Sequence, residues 1–331
     1  MSAPHLRAVA AVLIASLCPA AWAAEGAACD RSCLESVIGR FLDALVAHDP
    51  SSLDWAPGAM YTENNVALAI GDGLWATASR RGDPSHAITF ADPEHGEVAY
   101  FGVIEERGVP AYLALRLKVD AHRIAEAELI VNRKSETGPR GDPMQLSPDP
   151  AFRRAVPLDE RVARARMIDL AYGYFSTLQL NDGKIFTQFA ADCGRLENGM
   201  PTAGDLRAAN PYSRLHCEEQ FKLGNYRWDT RLRDRRFPLV DEERGLVLAS
   251  GFIDHSGVLD RYVLTDGTVK RSPILAPHAW HFLEVFKIER GRISRIESVF
   301  VYVPYGMPSP WTARVRGSAS GQPPGGPPLP P

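Results

Sequence analysis

The chain carries a weak copy of part of itself. Asp92-Pro93-Glu94-His95-Gly96-Glu97-Val98, then Gly102-Val103-Ile104-Glu105, is answered by Asp241-Glu242-Glu243-Arg244-Gly245-Leu246-Val247, then Gly251-Phe252-Ile253-Asp254, at a constant offset of 149 residues. Further on, Lys118-Val119-Asp120, Arg123-Ile124 and Glu128 answer Lys287-Ile288-Glu289, Arg292-Ile293 and Glu297 at an offset of 169. Earlier, Thr62-Glu63-Asn64-Asn65 answers Leu196-Glu197-Asn198-Gly199 at an offset of 134. Three blocks in one order restrict the fold to two like units.

Each unit opens with apolar residues at helical spacing: Leu34, Val37, Ile38, Phe41, Leu42 and Leu45, then Val162, Met167, Ile168, Ala171, Phe175 and Leu178. Asp159 is placed to cap the second helix and Asn181-Asp182-Gly183 to end it. A short helical piece, the Glu-Asn element and a series of strands follow. The last two strands form a hairpin around Asp120-Ala121-His122 or Glu289-Arg290-Gly291. The Pro-, Gly- and Ser-rich stretch from Lys134 to Pro157 reads as a linker, and the proline-rich end as a disordered tail. The expected division is a leader at 1–23, a first unit at 24–133, a linker at 134–157, a second unit at 158–312 and a tail at 313–331.

The leader has the form of a secretory signal: His5 and Arg7, an apolar run from Ala8 to Leu17, and Ala21-Trp22-Ala23 as the cleavage site. Leu17 before Cys18 argues against a lipoprotein signal. The expectation is a mature chain exported to the periplasm or beyond the cell, with no membrane span, since no other segment approaches ~18 consecutive apolar residues. Cys29, Cys33, Cys193 and Cys217 remain after cleavage. In an exported chain they favour disulfides, preferably Cys29 with Cys33 and Cys193 with Cys217, and their spacing does not suit zinc.

Formal charge is −3 overall, −8 over residues 24–133 and +1 over 158–312. Neither half has the strongly basic face of a nucleic-acid binder. The one dense cationic run, Arg231 to Arg236, reads as a strand or loop paired with the acids at Asp241 to Glu243, the other reading being an anion site.

A helix (Glu35 to Ala47, Arg161 to Leu180) followed by strands that end in a long hairpin (Leu113 to Val131, Phe282 to Tyr302) resembles the nuclear transport factor 2-like superfamily, including the SnoaL-like cyclases. With the tandem repeat and the leader, the chain looks like an exported two-domain group of that superfamily with unassigned function. The resemblance implies an α+β protein of two tandem cone-shaped domains, each a helix with a strongly curved antiparallel sheet. It also implies a pocket-forming fold used by dehydratases, isomerases, cyclases and non-catalytic binders. Fold alone names none of these.

Strand alternation lets the two interiors be compared. Leu113, Leu115, Leu117 and Val119 face inward in the first copy, so Phe282, Glu284, Phe286 and Ile288 do so in the second. On the last strand Ala125, Ala127, Leu129 and Val131 correspond to Ser294, Ile296, Ser298 and Phe300, with Tyr302 next. Glu128 and Glu297 fall on the opposite face and read as structural, paired to a basic side chain. Glu284, set among phenylalanines, is the candidate acid or base, with an ion pair to Arg195 or Arg235 as the structural alternative. Tyr302 is the candidate donor to a carbonyl or enolate oxygen, as a tyrosine is in isomerases of the resembled superfamily, and Arg195, Glu197, Phe282, Phe286, Ser298 and Phe300 complete the expected ligand-binding set. Metal binding by His278, His281 and Glu284 is set aside, because on a strand His281 and Glu284 point to opposite sides. The functional expectation is cofactor-free chemistry on a small apolar or aromatic molecule in the second unit. The alternative is a non-catalytic binding or assembly module, with sheets packed between domains or in a homodimer.

Overall fold

In the computed structural model, which describes residues 29–134 and 140–312, the two copies of the repeat share a leading helix and a main sheet of the same strand order, to which the second adds a short helix and a two-stranded hairpin. The expected leader, its cleavage site and the tail lie outside the described residues. The first copy contains helix α1 (Arg31–Val46) and strands β1 (Trp55–Glu63), β2 (Val66–Leu68), β3 (Ala78–Arg81), β4 (Ile88–Asp92), β5 (Glu97–Glu106), β6 (Val109–Asp120) and β7 (Arg123–Asn132). The second contains α2 (Arg164–Leu180), β8 (Phe189–Glu197), β9 (Met200–Ala203), α3 (Cys217–Leu223), β10 (Arg231–Asp241), β11 (Leu246–His255), β12 (Arg261–Val263), β13 (Val269–Arg271), β14 (His278–Glu289) and β15 (Arg292–Val303). The first sheet runs β2-β1-β7-β6-β5-β3 with β4 also on β5, the second β10-β11-β14-β15-β8-β9, and β12-β13 stands apart. The protein is thus mixed α and β, built mostly of two curved sheets with few helices.

Strand registers follow the sequence offsets. Glu97 faces Lys118 as Leu246 faces Lys287, and Tyr61 faces Ala127 as Arg195 faces Ile296. The repeated residues account for this. Gly96 and Gly245 sit at φ +61 and +63, where a Cβ would lie 2.3 Å from the carbonyl oxygen of Val119 or Ile288; only glycine accepts both constraints. Each glycine carbonyl accepts from the amide of that same residue, at 2.8 and 2.7 Å. Asn64 and Asn198, at φ 48 and 46, lock the first strand to the last. Their amides donate to the carbonyls of Leu129 and Ser298, and their side-chain oxygens accept from the amides of Val131 and Phe300.

Both hairpins bulge at the same place, after Lys118 and after Lys287. The bulge moves the inward position from the expected Ala125 and Ser294 to Ile124 and Ile293, which join the two cores. Ser294 instead donates to Glu289 at 2.8 Å. Helix α1 buries its expected apolar stripe and is capped by Asp30. Helix α2 starts later than expected, at Arg164 with Ala163 as cap, because Asp159 belongs to a separate turn (Leu158–Glu160) and the chain then runs extended at Arg161. It ends, as expected, at left-handed Asn181. Disulfides join Cys29 to Cys33 and Cys193 to Cys217. Among the described residues no helix is long and apolar enough to cross a membrane.

The outer faces of the two sheets pack on each other. Phe90, Phe101, Ala114 and Ile130 from the first share one core with Leu248, Phe252, Leu283 and Val301 from the second. The stretch read as a linker is packed where described: Leu146 and Phe152 join that core, Arg153 donates to the Ala87 carbonyl at 2.8 Å, and Val156 to the Glu243 carbonyl at 2.8 Å.

Charge is buried here too. Arg116, 1% exposed, pairs with Glu97, Glu126 and Glu128, and Glu128 also takes Arg236 from the facing sheet. Burial pushes the Glu128 carboxyl up, but Arg236 and Arg116 outweigh it and bring it down to about 2. Three of the four arginines from Arg231 to Arg236 are therefore paired, though not with the expected acids: Arg231 and Arg233 go to Asp254 and Arg236 to Glu128. Asp241 and Glu243 are held instead by Arg31.

Glu297, the repeat mate of Glu128, departs from its expected pairing. Val285 stands where its arginine would be, one carboxylate oxygen has no hydrogen-bond partner, and burial alone pushes it up to about 8. Between pH ~4.5 and 8 the folded chain holds a proton that the unfolded chain releases, so this group's stabilising contribution is lost as pH rises through that window. Glu297→Gln should match wild type in melting temperature below pH 4.5 and exceed it increasingly up to pH 8; a constant difference would contradict the assignment. Gly245→Ala, and likewise Gly96→Ala, should lower stability by more than the ~1–2 kcal/mol of left-handed strain alone, measured by denaturant unfolding.

Candidate functional site

The second interior encloses a cavity of about 510 Å³, lined by Glu284, Tyr302, Arg195, Glu197, Phe282, Ser298 and Phe300 among others. Seven of the eight expected site residues therefore share one space. Phe286 does not line it: it lies deeper in the core, its ring 5.0 Å from Tyr174 and 5.6 Å from Phe175. The size is typical of a small-molecule site.

Three polar residues form a row across the sheet, Glu197 on β8 facing Ser298 on β15, which faces Glu284 on β14. In the first copy this row reads Glu63, Leu129, Leu115. There the Glu63 carboxylate accepts from the Leu74 amide at 2.6 Å, fixing a short turn (Gly73–Ala76) whose Leu74 and Trp75 fill the interior.

Glu284 is 4% exposed. Burial, helped by the nearby Glu197 charge and opposed by Arg195 and a hydrogen bond from Tyr174, pushes its carboxyl up to about 8. It is a neutral acid at pH 7. The expected alternative of a direct Arg195 or Arg235 ion pair gives way to an indirect link. Arg195 donates to the Tyr174 hydroxyl at 3.3 Å, and burial, then the Glu284 charge, holds that phenol well above its ordinary range. The ion-pair partner of Arg195 is Glu197, at 3.5 Å. Its remaining donors reach Thr202 at 2.9 Å, Gln220 at 3.0 Å and the Tyr226 hydroxyl. Arg235 turns away, to Ser176 and Gln179.

Aromatic rings make up much of the remaining wall. Trp280 stacks on Phe300 at 4.5 Å, and Trp228 meets Tyr262 edge-on at 5.5 Å. Tyr302 stacks on His278 at 4.5 Å. Asp229, also on the wall, lies 3.1 Å from Nδ1 of buried His255, and burial raises its carboxyl. His281 faces the opposite side of β14, 3.9 Å from Glu128 between the sheets. It does not converge with Glu284, as strand alternation required. Among the described residues two clusters have metal-ligand spacing; one uses the Cys29–Cys33 disulfide and the other, Asp92, Glu94 and His95, lies at the turn between β4 and β5 and does not line the cavity.

Trp280 was within reach of sequence reasoning, being two residues before Phe282 on the same strand face. Tyr212, Tyr226, Trp228, Asp229, Tyr262 and Lys270 were not, because they sit on segments without a counterpart in the first copy.

A family model described as "Domain of unknown function (DUF8021)" matches residues 160–300, which include every cavity-lining residue but Tyr302. No curated protein matches the chain. Among solved structures, AclR of Streptomyces galilaeus, a candidate hydroxylase, is similar with 13% sequence identity and a TM-score of 0.27, over 49% of this chain and 91% of that one. A likeness at that score carries no argument about either fold or activity.

The two buried groups should respond differently to removal. Glu284→Gln at pH 7 replaces one neutral group by another and should leave the melting temperature nearly unchanged. Arg195→Met strands Glu197 in the wall and should destabilise by about 3–5 kcal/mol. A large loss of stability in Glu284→Gln would show that the carboxyl is ionised and structural.

Proposed function

We propose that this chain is a tandem pair of cone-shaped domains of the nuclear transport factor 2-like superfamily, whose second domain binds a small apolar or aromatic molecule and acts on it without a cofactor. The observation that carries this reading is a buried carboxyl, Glu284, on the wall of an aromatic-lined cavity, where burial pushes it up to about 8. A carboxyl held neutral at pH 7 can donate a hydrogen bond or a proton to a substrate oxygen. Glu197, two positions along the row, beyond Ser298, and already paired to Arg195, is placed to receive a proton from the other side of such a substrate. Elimination, isomerisation and hydration all need that pair of roles. Tyr302, stacked on His278, serves in this reading as wall and donor. The repeat supports a division of labour, because the first copy has the same strands with a filled interior.

The rival reading is a non-catalytic binding or assembly module. What favours it is the packing of the two sheets on each other, which gives the repeat a structural use without chemistry. The two differ at Glu284.

Glu284→Leu combined with Ser298→Leu gives the row the leucines it has in the first copy. It should narrow the cavity and remove its polar row, keep or raise the melting temperature, and weaken the quenching of Trp228 and Trp280 fluorescence by aromatic ligands. Glu284→Gln should retain that quenching while lowering turnover of any substrate by roughly 100-fold or more, and wild-type turnover should fall above pH 8 as the acid ionises. Unchanged turnover in Glu284→Gln would remove the acid role from Glu284, and ligand binding without any turnover by wild type would leave the binding-module reading.

A further inference from the structure

The cavity's charges are unevenly matched, and the imbalance says what a ligand must bring. Each carboxylate on the wall has an internal partner: Glu197 has Arg195, Asp229 has His255, and Glu284 has the Tyr174 hydroxyl. Lys270 has none of this kind. Its ammonium donates to the Asn225 side-chain oxygen at 2.7 Å and rests 3.5 Å from the Tyr212 ring centroid and 6.0 Å from that of Trp228. Among the described residues no carboxylate comes within ion-pairing distance of it. Burial is the sole influence on its titration, which it shifts downward.

The lysine is held there by design of the fold. It sits on β13, facing Tyr262 of β12, and the Tyr262 hydroxyl donates to the Asn225 carbonyl at 3.2 Å. That hairpin lies within the segment between β11 and β14, where the first copy has only the two-residue turn Arg107-Gly108. Arg271, the next residue, is also on the wall and adds charge of the same sign. A partly desolvated ammonium with only a neutral amide and aromatic faces around it gains most from an incoming anion. A single ammonium of this kind suits a monoanion better than a phosphate, which calls for several convergent donors.

We propose that the ligand is an aromatic or apolar carboxylic acid, its carboxylate set against Lys270 and its body lying along Trp280, Phe282 and Phe300. This deepens the reading of the cavity as a ligand site and rests on it.

The test uses matched pairs, benzoic, naphthoic and phenylbutanoic acids against their primary amides, titrated into the mature protein at pH 7 and followed by tryptophan fluorescence and calorimetry. The acids should bind about tenfold or more tightly than the amides, the value of one charge-assisted hydrogen bond. Lys270→Gln, which keeps a donor for Asn225, should bring the ratio close to one, and Lys270→Arg should retain the preference. Equal binding of acid and amide by wild type would overturn the carboxylate inference and leave the cavity reading standing. A preference that survives Lys270→Gln would overturn the assignment to Lys270. Failure of every acid and every amide to bind would overturn both readings.

Discussion

A guanidinium 2% exposed persists in an interior only if its donors are satisfied, and Arg195 meets that condition by drawing five segments together. Glu197 on its own strand, Thr202 on β9, Tyr174 on α2, Gln220 on α3 and Tyr226 in the loop beyond each supply an acceptor. The disulfide from Cys193, two residues earlier, ties down α3 independently. The cavity is therefore braced by one buried charge and one covalent bond. Tyr61 takes that place in the first copy and needs only Glu63, at 3.2 Å. Nothing there calls in extra segments, and the interior closes over leucine and tryptophan.

Much of this was legible from the chain alone, for a definite reason. A strand alternates by two, so comparing the copies face by face found the Leu115 to Glu284 and Leu129 to Ser298 exchanges, and both residues reached the cavity. The hairpin ends were legible because their chemistry is local. Where the reading went astray, a non-local fact had intervened. The bulge after Lys118 and Lys287 shifts the phase by one, which no alternation count reveals. Glu297 was expected to pair with a basic side chain because it repeats Glu128 on the same face, but its partner would have come from a position now held by Val285. The growth of the offset from 134 to 149 and then to 169 marks where the second copy has gained residues. Those insertions bring Tyr212, Tyr226, Trp228, Tyr262 and Lys270 to the wall, yet nothing in their composition says which way they fold.

The sheet-on-sheet contact holds charges in unequal states. Glu128 is ionised between two arginines, and Glu297 across the repeat is kept neutral by burial. His281, facing Glu128, is pushed down to about 4 by its burial, so it enters the contact uncharged. The contact thus reads as two related faces, each repaired differently after diverging, with hydrophobic residues supplying the bulk of the association and the arginines fixing its register.

The strap from residue 140 to 157, docked on both sheets, makes this association internal to one molecule. Two separate copies meeting through the same faces would dissociate on dilution, because their encounter depends on concentration. Joined in one chain, each face meets its partner at an effective concentration set by the strap and not by the surroundings. The half that holds the cavity keeps its supporting half in however dilute a solution it is placed.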